Sequence, residues 1–194
     1  MQTLNREALL QSLQQETREL LAFAHHLQTE QQALLLQTPA NGGWNITQVL
    51  EHLNTYSHYY LPLVTTALYQ SRPASSPQFR PGWLGNYFTR LIQPEPEGTI
   101  QKKMKAAKQH LPALQLNTHN VLQAFIAHQQ QLLQLLQQAS GKNLSTIKIP
   151  VSILPVLKLK TGDILRFLCA HQQRHLKQMQ LVLSEVYQPS ITYS

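Results

Sequence analysis

The chain has 194 residues, 42% hydrophobic and 13% charged, enough to bury a sizeable core in one domain spanning 1–194. Its net charge of +7 is lopsided: residues 1–97 hold five Arg against seven acids, and residues 98–194 hold eleven Lys or Arg against two. No apolar run of about 18 residues occurs, so no membrane-spanning helix is expected, and Cys169 stands alone, so no internal disulfide can form.

The amino terminus reaches acidic and Gln-rich sequence at once, without an apolar signal core, which with the single cysteine suits a cytoplasmic protein. A first helix is expected from about Arg6 to Gln32, capped by Asn5 with Glu7 in its first turn. Leu10, Leu13, Thr17, Leu20, Ala24 and Leu27 recur at steps of three and four, giving one core-facing stripe. Thr38–Gly43 reads as a turn. Asn45 and Gln48 resemble a capping box for a second helix, with Trp44 as a packing anchor at its start. Ile46, Val49, Leu50, Leu53, Tyr56, Tyr60 and Val64 keep the helical period, while Pro62 predicts a kink near 58–62 or a restart.

Residues 71–118 form the first irregular connection, with a short helix around Leu84–Ile92 and a basic group at Lys102, Lys103, Lys105 and Lys108. A third helix is expected over about Thr118–Gln138, with Leu122, Phe125, Ile126, Leu132, Leu133 and Leu136 inward, closed by Ser140–Asn143. The second irregular connection, about 140–160, carries Pro150 and Pro155 and reads as extended. A fourth helix runs from about Gly162 to Tyr187. The Gln runs between these Leu positions supply neutral helix-forming surface. The fold class is therefore all-α, a four-helix bundle with long crossover connections.

In the fourth helix the apolar stripe Ile164, Leu168, Met179, Val182, Val186 has a gap filled by His171 and His175. At i and i+4 both imidazoles point inward, close enough to share one ion. His52, between Val49 and Tyr56, is the best candidate for a third ligand, although spacing alone does not pair it with the other two. Tyr56, one turn after His52, is a candidate to reach a substrate, against a core Tyr with its hydroxyl satisfied. Arg174 is a candidate anchor for an anionic substrate, against a salt bridge or a solvated charge on the helix flank. No residue is assigned a catalytic role. Cys169, on the other side of the helix from His171, reads as a small buried hydrophobe. His25, His26, His58, His110, His119 and His128 share no spacing and read as surface or incidental. The lysines lack an aromatic or Arg-rich companion motif, so a solvated face is expected and nucleic acid is not. No H-E-x-x-H, G-x-S-x-G or phosphate-binding glycine loop occurs.

The segment Trp44-Asn45-Ile46-Thr47-Gln48-Val49-Leu50-Glu51-His52-Leu53 resembles the start of the second helix in the DinB/YfiT-like superfamily, which is distinct from the DNA polymerase sharing the name DinB. The segment from His171 through Arg174 and His175 to Gln178 resembles its last-helix signature, and Lys102, Met104, Lys105, Leu144–Pro150 and Thr161–Asp163 resemble its connecting segments. This resemblance implies a DinB-like four-helix bundle, often a homodimer, with one divalent transition metal (Zn, Ni, Fe or Mn) on His52, His171 and His175. It also implies a metal-dependent enzyme that transfers or hydrolyses a small substrate, with a low-molecular-weight thiol as one candidate. Many relatives carry an acid directly after the first His of the last pair; Gln172 here removes that negative charge. No general base is evident, so a non-catalytic bundle binding a small ligand or a protein partner stands as the alternative.

Overall fold

The computed structural model describes residues 3–94 and 105–187. In chain order it forms α1 (Arg6–Thr29), a short α2 (Gln32–Leu35), α3 (Ile46–Gln70), α4 (Trp83–Ile92), α5 (Thr118–Gln138) and α6 (Thr161–Tyr187). The long helices α1 and α3 each pack on both α5 and α6, and α4 lies against α6. The expected all-α bundle is present. Among the described residues no helix is long and apolar enough to cross a membrane.

Local chemistry sets the helix starts. The Asn5 side chain accepts the Ala8 N–H at 3.0 Å. At α3 the box closes in both directions, with Asn45 Oδ1 accepting from Gln48 N–H at 2.9 Å and Gln48 Oε1 from Asn45 N–H at 3.1 Å. Removing such a cap costs about 1 kcal/mol. Gly141 ends the α5 region at φ +70, a backbone conformation that a Cβ disfavours.

Several expectations need correction. α1 stops at Thr29 rather than Gln32, and α2 follows as a separate turn. α3 does not restart at Pro62. Both Pro62 and His58, whose carbonyl loses its donor, lie on the exposed face, where water can serve that carbonyl, while buried Tyr60, Leu61 and Val64 hold the helix to the core. On α5, Leu135 is buried and Leu133 only half-buried, because this helix packs on two neighbours and its apolar face turns accordingly.

The extended 140–160 connection is an antiparallel hairpin of two strands. Two short strands earlier in the chain, β1 (Leu4–Asn5) and β2 (Gln78–Phe79), also pair antiparallel. The hairpin itself is β3 (Lys148–Val151) and β4 (Leu154–Lys160), with a register shift at Pro150/Val151. With only two strands every strand is an edge, so proline is tolerated there. Lys102 and Lys103 lie outside the described residues; Lys105 and Lys108 are exposed.

The core falls into two apolar clusters. One gathers Leu10 and Leu13 of α1, Tyr60 and Val64 of α3, Leu132 of α5 and Leu168 of α6. The other gathers Leu20, Leu53, Phe125 and Leu176 from the same four helices. Fully burying one such side chain contributes about 1.5–3 kcal/mol. Between the clusters, every long helix places buried polar residues: Thr17 on α1, Asn54 and Ser57 on α3, Gln129 on α5, and His171, Gln172 and His175 on α6. A polar belt thus crosses the middle of the bundle.

Candidate metal centre

On α6 the buried stripe Ile164, Leu168, His171, His175, Met179, Val182 keeps helical steps, so two imidazoles one turn apart share its inward face. Packing of α3 against α6 brings in His52 from the second helix. Each of the three rings offers a nitrogen that lies within 4.8 Å of those of the other two, and all three side chains are buried. His171 Nε2 stands 3.1 Å from His175 Nε2 and 3.4 Å from His52 Nε2. Imidazole nitrogens each about 2.0–2.1 Å from one tetrahedral ion would be about 3.3 Å apart.

The far side of each ring fixes what those nitrogens are. A carbonyl can only accept, so His52 Nδ1–H donates to the His110 carbonyl at 2.6 Å. Gln178 Oε1 accepts from His175 Nδ1–H at 2.8 Å. A neutral imidazole carries one proton, so both of these Nε2 atoms present bare lone pairs. His171 Nδ1 is buried without a hydrogen-bond partner among the described residues. If its proton sits on Nδ1, that N–H is stranded and three lone pairs face one another. If it sits on Nε2, the two facing lone pairs must share one donor. Either arrangement is costly in a site whose rings are 3%, 7% and 8% exposed. The donor set fits a divalent cation.

Burial holds the cluster neutral. It pushes His52 below the ordinary imidazole value, partly offset by the bond to His110. It pushes His175 down to about 3, helped by the neighbouring His52 and Arg174 and opposed by the Gln178 bond. His171 is held well below the usual range by burial first, then by His175, His52, His110 and Arg174. Neutral imidazole is the form that ligates a metal.

Aromatic rings line the cluster. The Trp44 ring lies 5.0 Å from that of His52, so the residue expected as a packing anchor also walls the site. The Tyr56 ring is 5.2 Å from His52 and 4.4 Å from His171, and burial followed by Tyr60 pushes its phenol up to about 12. Phe167 stacks on His171 at 5.8 Å. Arg174 is buried beside the histidines rather than solvated on a flank. The structure thus brings Tyr56 and Arg174 to the same place as the three histidines.

Two histidines read as incidental are not. His110 is buried, supplies the carbonyl under His52, and lies flat on Tyr56 with ring centroids 3.8 Å apart. Burial, then the neighbouring His52, pushes it down to about 4. His128 is half-buried and its Nδ1 meets Asn54 Oδ1 at 3.0 Å. Both line a cleft of about 690 Å³ between α3 and α5, with Glu51, Thr55 and Tyr59. Nothing in their spacing signalled this, since His110 acts from a short turn and partly through its main chain. Cys169 is buried as expected, its sulfur 3.9 Å from Thr17 Oγ1.

A helical bundle with three inward imidazoles from two helices is the class of protein that this fold and site define. The chain belongs to the DinB superfamily, whose family model matches residues 6–179. No curated protein and no solved structure matches it.

Proposed function

We propose that the protein is a metal-dependent enzyme that transfers or hydrolyses a small substrate, with a low-molecular-weight thiol as one candidate. His52, His171 and His175 hold one divalent transition ion, Zn, Ni, Fe or Mn. The observation that carries the reading is the convergence of three buried Nε2 atoms, two of them committed as lone pairs by Nδ1–H bonds on the far side. Such an ion supplies the Lewis acidity that makes water or a thiol nucleophilic near neutral pH. Trp44, Tyr56 and Phe167 exclude bulk water from the imidazoles. The Tyr56 hydroxyl stays protonated at neutral pH and is available to donate to a substrate oxygen or sulfur. Arg174 adds positive charge suited to an anionic substrate group.

A second reading, a non-catalytic bundle that binds a ligand or partner, is favoured by one observation. Among the described residues, the ring contacts and hydrogen bonds of the three histidines include no carboxylate to serve as a general base. Metal analysis of untagged protein should find about one equivalent of ion, and His171→Ala should lower affinity by at least about 100-fold, more than loss of an outer partner costs. Protein that takes up none of the four metals sinks the proposal. Screening the loaded protein against small thiols paired with electrophiles then separates the readings: turnover supports the enzyme, and a metal-bound but inert protein supports the binder. Light scattering tests the homodimer.

A further inference from the structure

We propose that His110 is the positioning residue for His52, locking it in the tautomer that turns Nε2 toward His171 and His175. This inference rests on the metal-site reading above. The His110 carbonyl receives the His52 Nδ1 proton at 2.6 Å, and that carbonyl sits in a one-turn 3-10 helix, Lys108–His110, with little internal bonding to hold it. The His110 side chain supplies the hold.

The direction of each hydrogen bond follows by elimination. Thr55 Oγ1–H donates to the His52 carbonyl at 2.7 Å, so its proton is committed. The 2.9 Å contact between Thr55 Oγ1 and His110 Nδ1 must then run from Nδ1–H to the hydroxyl oxygen. His110 Nε2 in the neutral ring is left as an acceptor and takes the Ser152 Oγ–H at 2.9 Å. Ser152 lies in the turn between β3 and β4 and is itself fixed: its N–H donates to the Tyr60 hydroxyl at 3.0 Å, and its carbonyl accepts from Gln109 Nε2 at 2.6 Å. The ring also stacks on Tyr56 with 23° between planes. Two hydrogen bonds and one stack therefore tie the 3-10 turn to α3 and to the hairpin. The circuit leaves His52 through Nδ1 and returns to it through the Thr55 hydroxyl. A ligand imidazole held this way keeps one tautomer and one orientation, which is how outer partners raise metal affinity.

The test uses the full chain with Thr55→Val, Thr55→Ser and Ser152→Ala. Zinc affinity is read by competition with a chromophoric chelator, and the His52 tautomer by long-range proton–nitrogen NMR of the metal-free protein. Wild type should show His52 protonated at Nδ1. Thr55→Val should lose about ten-fold in zinc affinity and show a mixture of His52 tautomers, while Thr55→Ser keeps both wild-type readings. Ser152→Ala cuts the circuit on its other side and should give the Thr55→Val result, which also covers a Thr55→Val chain that fails to fold. A wild-type His52 protonated at Nε2, or a folded Thr55→Val chain with wild-type affinity and tautomer, overturns the inference. If wild type takes up no zinc but its tautomer still shifts in the variants, the metal reading fails and the positioning role stands.

Discussion

α6 buries ionisable groups in two places, and they are built on opposite plans. At its first turn Asp163 accepts the Gly82 N–H at 2.9 Å, and Arg166 one turn on stands 3.7 Å away. Unlike charges and a backbone donor meet there, and the result is a joint: Gly82 precedes α4, and a Cβ on Gly85 would collide with the Asp163 side chain. Two turns later His171 and His175 meet His52, and the Nε2 lone pairs of His52 and His175 are turned inward on the same spot. A buried polar group that finds its complement holds a structure together. A set that converges without one is open to a ligand, and in the second case the donor set fits a cation.

The sharpest way to break this comparison is Asp163→Ala. It strands the Gly82 N–H and leaves half-buried Arg166 with only its Asn86 contact, and should cost about 1–3 kcal/mol in urea unfolding, with metal stoichiometry unchanged. Loss of metal binding in a folded Asp163→Ala chain would erase the distinction between the two sites. The pH dependence should carry opposite signs. Folded His175 titrates near 3 against 6.5 ordinarily, so below pH 6.5 the unfolded chain binds the proton first. Stability of the metal-free protein should therefore fall as pH drops from 6.5, by about 1.4 kcal/mol per unit for this ring alone. Burial pushes the Asp163 carboxyl up from 3.8, so its contribution instead rises in acid. Urea titrations at several pH values read the net slope, which His175→Ala should reduce near pH 5–6. The smallest expected effect is at Gln178. Replacing it with Leu strands the His175 Nδ1 proton and should weaken zinc about ten-fold, measured by chelator competition; wild-type affinity would remove Gln178 from the site.

Much of this was legible in the sequence because it is periodic. Leu10, Leu13, Leu20, Ala24 and Leu27 announce the inner face of α1, and His171 and His175 fall on the same rhythm in α6. Asn45 and Gln48 fix the start of α3, and so the height at which His52 enters the bundle. What periodicity cannot carry is contact between distant segments. His110 lies 58 residues from His52 and touches it through a carbonyl that every residue type possesses. The β3–β4 hairpin was hidden by Pro150 and Pro155, which argue against a central strand but not against an isolated pair. At Pro62 the helix runs on without a restart, because tertiary packing on one face outweighed one missing hydrogen bond on the other.

The lone thiol sets a boundary on the chemistry. Cys169 is sealed between α1 and the apolar half of α6, and burial pushes it far above the range where a thiolate forms at neutral pH. The chain therefore has no thiolate of its own to offer to an electrophile at the histidines. A thiolate taking part in the proposed reaction would have to come from a molecule that diffuses in, which would leave the protein itself unmodified at the end of each cycle.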